Sequence, residues 1–369
     1  MARKSNGGKR RLVGNNLNES LRMRQIAKAQ AANSAPVDIS TLPEVELPDL
    51  SQVVARVPTP APFTAEDIQN NYEALYYEHC VEREWKQVND PVELGDEVYL
   101  DLVTYSGGKI MPFGSRESMR LRLESDSYYP GFGDALAGTK VGANKLITLQ
   151  LPDAETQRNV KVVFIVDVKG ATKLTFPPID APETVKKLGL GDGIETVEQA
   201  YDRIAEVMKE ERDNEMLIAG TNAAVQAIID LVNVEIPSEV IDTEIREQWN
   251  KTEAVFLKNK GLSRQDLDES LAGWIADEGT RKAAADRVRN GLAVAAYAKK
   301  ENDPPTEKEV EEYFRDFAKT HGVSYEEWRR DLESREDDQL TLLNMFVFLR
   351  TTTRMIAEID VQFGDQPND

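Results

Sequence analysis

The spacing of the apolar residues changes near Pro182, and this change limits the possible fold more than any other feature. Between Glu93 and Val168 apolar side chains recur at every second residue, the period of a half-buried β-strand. The predicted strands lie in DEVYLDLVTY, SMRLRLES, KLITLQL and NVKVVFIVDV, with one short helix at 131–136 before the third. After Pro182 the period becomes helical. The sequence therefore predicts an α+β protein, with a small antiparallel sheet wrapped on a short helix and a large helical region.

Capping patterns place the starts of several helices. A hydroxyl residue stands three positions before an acidic or amide residue at Thr64, Thr196, Ser263 and Thr306. We expect the first of these helices to end near Trp85. Apolar stripes follow the later starts, one through Ile241, Ile245, Trp249, Thr252 and Phe256, and one through Val310, Phe314 and Phe317. A last long helix is predicted from about Tyr325. Such stripes are most often core.

The amino-terminal region differs in composition from the rest. Residues 1–36 carry eight basic side chains and one acidic one, although the whole chain has a net charge of −20. A basic segment with few apolar residues cannot offset its ordering entropy, so residues 1–35 are predicted to be a disordered tail. Lys9, Arg10 and Arg11 are its candidates for contact with ribosomal or other RNA phosphates; a solvated tail without a partner is the alternative. Six prolines within 36–62 favour an extended linker over a packed element.

Composition also bounds the location and the chemistry. Cys80 is the one cysteine, which excludes an intramolecular disulfide and fits a reducing compartment. No signal peptide or membrane-spanning run is evident, so a soluble cytoplasmic protein is predicted, without membrane contact. His79 and His321 are the two histidines, too few with Cys80 to favour a metal site. The segment GLGDG lacks the spacing of a dinucleotide loop. We therefore predict no cofactor, no metal and no nucleotide.

Several segments resemble one known family. VELGDEVYLDL, YYPGFGDALAGTKVG and VVFIVDVKG are similar to the FKBP-type prolyl isomerase domain of trigger factor, the bacterial nascent-chain chaperone. KKLGLGDGIETVEQAYDRI and VEIPSEVIDTEI resemble the start of that family's helical carboxy-terminal domain. The likeness covers roughly residues 42–361, in the family's order. The family's amino-terminal ribosome-binding domain has no counterpart here, because GGKRRLVGNN does not reproduce its docking signature.

The resemblance implies a division of the chain into domains. A proline-rich linker and helix are expected at 36–88, an FKBP-like isomerase domain at 89–174 and a helical chaperone domain at 175–361. A flexible tail is expected at 362–369. The sheet predicted above is thus FKBP-like, and the helices beyond it are similar to the trigger factor C-terminal domain.

The resemblance also implies a pocket. Rotation about a prolyl bond faces a barrier of about 18–20 kcal/mol, and an FKBP-type pocket lowers it by desolvating the imide in an aromatic cleft. Phe132, Phe164, Tyr128 and Tyr129 match lining positions of that cleft. The first-strand aromatic is replaced by Leu102, and an aromatic-acidic pair by Ile110 and Met111. The flap that supplies a tyrosine is shortened to LPDAETQRN. Isomerase activity is therefore expected to be reduced or lost.

For the helical region the resemblance implies an ATP-independent chaperone that binds unfolded or nascent polypeptides. The stripe of Leu343, Phe346, Val347 and Leu349 is the candidate client-binding or arm-packing surface. Two alternatives remain open. One is an active peptidyl-prolyl isomerase that accelerates proline-limited folding. The other is a dedicated assembly partner of a specific basic protein or complex, which the acidic composition would suit.

Overall fold

The computed structural model describes residues 42–152, 158–333 and 336–364. Within this part the chain forms two compact units. Of the described residues, the sheet unit contains those within Pro62–Lys209 and Asp242–Arg281. The helical unit contains the described residues up to Ala61, those of Glu210–Ile241 and those from Lys282 onward. The α+β class predicted from the sequence is confirmed. The predicted domain boundaries stay a prediction.

Most strands lie before Pro182 and most helices after it, as the change of period predicts. The strands are β1 (Val54–Val57), β2 (Glu82–Trp85), β3 (Glu97–Ser106), β4 (Lys109–Ile110), β5 (Arg116–Arg122), β6 (Asn144–Pro152), β7 (Asn159–Thr175) and β8 (Asp360–Phe363). The first helices are α1 (Ala65–His79), α2 (Phe132–Leu136), α3 (Pro182–Val185), α4 (Val197–Leu231), α5 (Ser238–Lys251) and α6 (Glu253–Asn259). The later ones are α7 (Arg264–Ala276), α8 (Glu278–Glu301), α9 (Glu307–Thr320), α10 (Tyr325–Glu333) and α11 (Glu336–Glu358).

The sheet is antiparallel and is built around the long strand β7. β3 pairs with β7 along one edge, and β6 and then β2 pair along the other. β5 and the short β4 both pair with β3. The inward side chains of these strands enclose α2, and Leu100, Leu136 and Val166 are wholly buried there. The four predicted strands and the short helix beneath them are confirmed.

The first helix is shorter than the sequence predicts. α1 ends at His79, and Trp85 lies at the end of β2, paired with Thr172. The prediction that this helix reaches Trp85 is wrong, because EREW continues the sheet. Its predicted start is correct, since the Thr64 hydroxyl accepts the Asp67 backbone N–H and the Asp67 carboxylate accepts the Thr64 N–H.

A buried carboxylate fixes the start of β3. Glu97 is almost fully buried and accepts hydrogen bonds from Tyr77, Arg83, Tyr99 and Arg120, which lie on α1, β2, β3 and β5. Burial raises its pKa, but the hydrogen bonds from the two arginines and the tyrosines outweigh burial and lower the pKa to about 2. One charged group therefore ties four elements of the sheet unit together.

The remaining predicted helix starts are also confirmed. Ser263 and Thr306 both form reciprocal capping boxes, and Thr196 exchanges hydrogen bonds with Gln199. The predicted stripe from Ile241 to Phe256 is not one helix, however. Its backbone breaks at Thr252, whose φ of −120° and ψ of −96° separate α5 from α6. The helix predicted from about Tyr325 is described as the two helices α10 and α11.

The helical unit has a core of its own, in which a two-stranded parallel sheet takes part. β1 pairs with β8 from the far end of the chain. Leu50, Ala55 and Val57 are buried with residues of α4, α8 and α11. The prediction of an unpacked linker is therefore wrong for residues 50–57. The tail predicted from residue 362 begins inside β8. Among the described residues, no helix combines the length and the apolar character needed to cross a bilayer.

Candidate functional site

Four aromatic residues come together at the edge of the sheet, and we call them the pocket cluster. They are Tyr128, Tyr129, Phe132 and Phe164, the residues that the sequence predicts. Phe132 is the first residue of α2, Phe164 lies in the middle of β7, and the two tyrosines precede the Pro130–Gly131 step.

The rings of the pocket cluster pack mainly edge to face. The centroids of Phe132 and Phe164 are 5.3 Å apart at an interplanar angle of 85°. Tyr128 lies 5.5 Å from Phe132, and Tyr129 lies 5.4 Å from Phe164. Such pairs are favourable because the ring edge is positive and the ring face negative.

The floor of this cluster is closed. Phe132 and Phe164 are each 0% exposed, whereas Tyr129 is 37% exposed. Leu102, at the position of the missing first-strand aromatic, is buried in the same core. A peptide imide must reach the floor of an isomerase cleft to be desolvated there. In this conformation both floor rings are covered.

Local backbone geometry explains how the loop before α2 reaches this position. A Cβ on Gly133 would lie 1.7 Å from the Glu124 carbonyl oxygen, so only glycine permits this close approach. Gly131 has a φ of 78°, which glycine adopts without strain. Tyr128 has a φ of 69°, and a bulky residue there carries strain of about 1–2 kcal/mol.

Ile110 and Met111 occupy different environments. Ile110 is buried with Trp249 and Leu257, outside the pocket cluster. Met111 packs against the core that contains Phe132 and Phe164. Of the pair that replaces the aromatic and acidic residues, only Met111 thus belongs to the pocket side. Residues 153–157 of the shortened flap lie outside the described residues.

The pocket cluster could act on a ligand through its shape and its apolar surface. Its polar atoms include the Tyr128 hydroxyl, whose pKa is raised chiefly by burial. Cys80 is buried and donates to the Thr184 carbonyl, so its thiol has a structural partner. In the described part of the chain, no three His, Cys, Asp or Glu side chains are grouped as metal ligands would be.

A second group of aromatic side chains lies in the helical unit, and we call it the aromatic surface. It consists of Tyr313, Phe314, Phe317 and Trp328, all partly exposed. The first three follow helical spacing on α9, and Trp328 on α10 lies 5.6 Å from Phe314 and 5.4 Å from Phe317. The sequence indicates the stripe on α9, but it does not show that these rings stay half-uncovered.

Apolar and charged groups surround the aromatic surface. His321 stacks on Phe317 with 4.1 Å between ring centroids, and the Arg315 guanidinium lies 4.3 Å from the centre of Tyr325. Val323 and Leu340 are exposed apolar residues of the same unit, and Leu340 is 59% exposed. Half-covered rings beside exposed charges form an apolar surface that stays hydrated at its edges.

The predicted client stripe is divided between packing and partial exposure. Phe346 and Leu349 are buried, and Phe346 lies 4.8 Å from Tyr313, against which it packs. Leu343 and Val347 are half-buried. Phe346 and Leu349 therefore support the helices and do not face solvent. Lys9, Arg10 and Arg11 lie outside the described residues.

The fold and the two aromatic groups define a two-part α+β protein, with a closed aromatic pocket in a small sheet and a half-exposed aromatic surface on amphipathic helices. Residues 196–358 match the family model described as "Bacterial trigger factor protein (TF) C-terminus".

Curated relatives are similar to the chain in the same way. The trigger factor of Geobacillus sp. (strain WCH70) is 28% identical over 272 residues, which are 71% of this chain and 61% of that protein. The trigger factor of Prochlorococcus marinus (strain MIT 9515) is 26% identical over 238 residues, 62% of this chain and 49% of that protein. The resemblance to trigger factor predicted from the sequence is confirmed. The chain spans about half to three fifths of the length of these relatives.

A solved structure described as "Promiscuous Substrate Recognition in Folding and Assembly Activities of the Trigger Factor Chaperone" is also similar. It shares 20% sequence identity with a TM-score of 0.33, and the match covers 84% of this chain and 71% of that chain. A TM-score of this size does not indicate a shared overall arrangement.

Proposed function

We propose that this protein is a trigger-factor-like, ATP-independent chaperone that holds unfolded or nascent polypeptides on the aromatic surface. The observation that carries the proposal is the partial exposure of Tyr313, Phe314, Phe317 and Trp328 on neighbouring helices. The match of this region to the trigger factor C-terminus supports the proposal.

The physical requirement for such a chaperone is loose binding. Rings that are already half-packed bury only part of their area on a client, so each contact adds little affinity. Nearby ion pairs, such as Arg315 with Glu311 at 2.7 Å, keep water and charge beside the rings. Adaptable apolar area with a charged rim favours binding of many sequences and rapid release.

We further propose that the sheet unit has reduced or no isomerase activity. Full burial of Phe132 and Phe164 supports this proposal. The presence of Met111 at the position where the family has an acidic residue also supports it. The second candidate function is an active prolyl isomerase. It is favoured by the preserved edge-to-face packing of Phe132 on Phe164, the floor that an FKBP-type pocket would use once uncovered.

Two assays on the full chain test these proposals. Aggregation of a chemically denatured client, followed by light scattering without ATP, should fall as the protein approaches equimolar amounts. Undiminished scattering at a tenfold molar excess would contradict the chaperone proposal. A client protein whose refolding is limited by prolyl isomerisation should refold at its uncatalysed rate, over tens of seconds or longer. A rate that rises with protein concentration would support the second candidate instead.

The basic segment near the amino terminus is proposed to contact RNA or the ribosome. Its support is charge alone, from Lys9, Arg10, Arg11 and their neighbours. Binding through phosphates releases counterions, so the affinity should fall steeply with added salt. Cosedimentation with ribosomes at low and high salt tests this, with a chain that lacks residues 1–36 as the control. Equal cosedimentation of the shortened chain would contradict it.

A further inference from the structure

Two helices of the sheet unit pack on the hairpin formed by β3 and β4. We call α6 and α7 the helical pair. Val103 on β3 and Ile110 on β4 share a buried core with Phe256 and Leu257 of α6. The Tyr105 hydroxyl donates to the Asp266 carboxylate on α7 at 3.1 Å. The helical pair is therefore anchored to the β3–β4 hairpin by apolar and polar contacts.

The helical pair also contacts the loop that follows β4. The backbone of α7 comes so close that a Cβ on Gly273 would lie 2.0 Å from Pro112 Cγ. The rings of Trp274 and Phe113 lie 4.6 Å apart between centroids. Phe113 has a φ of 58°, in the left-handed region that bulky residues avoid. Packing against α7 helps hold this strained loop in place.

Ion pairs and a hydrogen bond hold the strand that follows this loop. The Nζ atom of Lys260, the residue that follows α6, lies 2.5 Å from Asp101 Oδ2 and 2.9 Å from Asp167 Oδ2. The second oxygen of Asp101 accepts the backbone N–H of Ser118 at 2.7 Å. The loop between β4 and β5 is thus held at Phe113 by α7, and the strand β5 that follows it is held at Ser118 through Asp101 and Lys260.

Met111 links this loop to the pocket. Its neighbours Ile110 and Phe113 contact the helical pair, whereas its own side chain packs on the core that holds Phe132 and Phe164. The Met111 backbone is tied on both sides, since its N–H donates to Thr104 and its carbonyl accepts from Gly114. A shift of the loop would therefore also displace Met111 from its present place against this core, which we call the pocket core.

We propose that the helical pair is an autoinhibitory element, which keeps the pocket closed to proline-containing peptides by holding the loop with Met111 against the pocket core. The inference rests on the proposed closed state of the sheet unit. It predicts that the pocket floor is intact and that loosening the helical pair uncovers it.

The sharpest test is Gly273→Ala in the full chain. The added methyl group cannot fit beside Pro112, so the loop must move, while alanine favours the helix by about 1 kcal/mol over glycine. The matched control is Gly279→Ala on α8, where the nearest atom is a side-chain oxygen of Asp277 at 3.3 Å. The probe is a fluorescein-labelled pentapeptide with a central Leu-Pro, and fluorescence anisotropy gives its affinity. We expect at least fivefold tighter binding for Gly273→Ala and wild-type affinity for Gly279→Ala.

Trp274→Ala tests the same contact by removing a ring. Its control is Trp85→Ala, because Trp85 is 60% exposed on β2 and packs on Tyr99 instead. Trp274→Ala should also tighten binding of the proline peptide, and Trp85→Ala should not. Circular dichroism shows whether each variant is folded. If Trp274→Ala is unfolded, the affinity of Gly273→Ala alone tests the proposal.

Three outcomes would overturn the inference. The first is a proline-peptide affinity in Gly273→Ala that is unchanged, weaker or undetectable. The second is an equal gain in affinity for a peptide with alanine in place of proline, which would indicate nonspecific binding. The third is wild-type protein that already binds as tightly as the variants. Aggregation suppression by the same proteins is scored separately, so failure of the chaperone proposal is distinguishable from failure of the autoinhibition.

Discussion

The pocket cluster and the aromatic surface are each built from four aromatic side chains with centroids about 5–6 Å apart, yet they differ in exposure. In the pocket cluster, Phe132 and Phe164 are wholly buried and two tyrosines pack against them. On the aromatic surface, every ring keeps part of its area in solvent. Aromatic content alone therefore does not identify a binding surface. The elements that carry the rings determine their exposure, because the sheet buries Phe132 and Phe164 whereas two short helices leave their rings half-covered.

The difference in burial predicts a large difference in stability. Phe164→Ala should lower the free energy of unfolding by about 3–5 kcal/mol, because it leaves a cavity in a sealed core. Phe317→Ala should cost less than half as much, since the ring is partly exposed already. Urea unfolding of the full chain, followed by circular dichroism, measures both. Equal losses would show that the two groups are equally buried in solution.

The sheet unit should also respond to acid through Glu97. Its folded pKa of about 2 lies below its ordinary value of 4.5, so its stabilisation is present above pH 4.5 and is lost as the pH falls toward 2. Glu97→Gln should be less stable than wild type at pH 7, with a gap that narrows between pH 4.5 and 3. Urea midpoints at several pH values measure this. Exposed Glu84→Gln is the control, and a constant gap for Glu97→Gln would refute the linkage.

Client affinity should depend on the aromatic surface and not on other exposed rings. The double change Phe314→Ala and Trp328→Ala should weaken binding of a permanently unfolded client about tenfold, which is about 1.4 kcal/mol. Phe176→Ala with Trp85→Ala is the matched control, since both rings are exposed in the sheet unit. Fluorescence anisotropy of the labelled client compares the two pairs. A larger loss in the control pair would move the client site to the sheet unit.

The smallest expected effect concerns the cap of α9. Thr306→Ala removes the reciprocal hydrogen bonds with Glu309 and should cost about 1 kcal/mol. The first turn of α9 should then exchange its amide hydrogens faster, while the sheet unit is unchanged. Thr320→Ala, at the last turn of the same helix, is the control. Unaltered exchange at the start of α9 would mean that packing alone holds this helix.

Local patterns made much of the fold predictable. The four strands followed from alternation, and the caps at Thr64, Ser263 and Thr306 followed from short-range chemistry. The pairing of β1 with β8 was not predictable, because four-residue strands about 300 positions apart leave no joint signal in one sequence. The break at Thr252 was missed for the opposite reason, since the apolar stripe continues across it.

The candidate sites were predictable in composition and not in exposure. The pocket cluster follows from the resemblance residue by residue, and its rings do come together. Its closure depends on side chains that arrive from distant positions. In the same way, the apolar spacing of Phe346 and Leu349 in the sequence is the same whether the side chains are buried, as they are here, or exposed. Tertiary packing resolves that ambiguity.

Fluorine NMR of the full chain labelled with 5-fluorotryptophan tests the central claim most directly, because three of the four tryptophans report on separate places. Trp328 lies on the aromatic surface, Trp274 on the helical pair and exposed Trp85 on the sheet. Addition of a permanently unfolded client without proline should shift or broaden the Trp328 resonance and leave those of Trp85 and Trp274 unchanged. A response at Trp85 with an unmoved Trp328 would contradict the account.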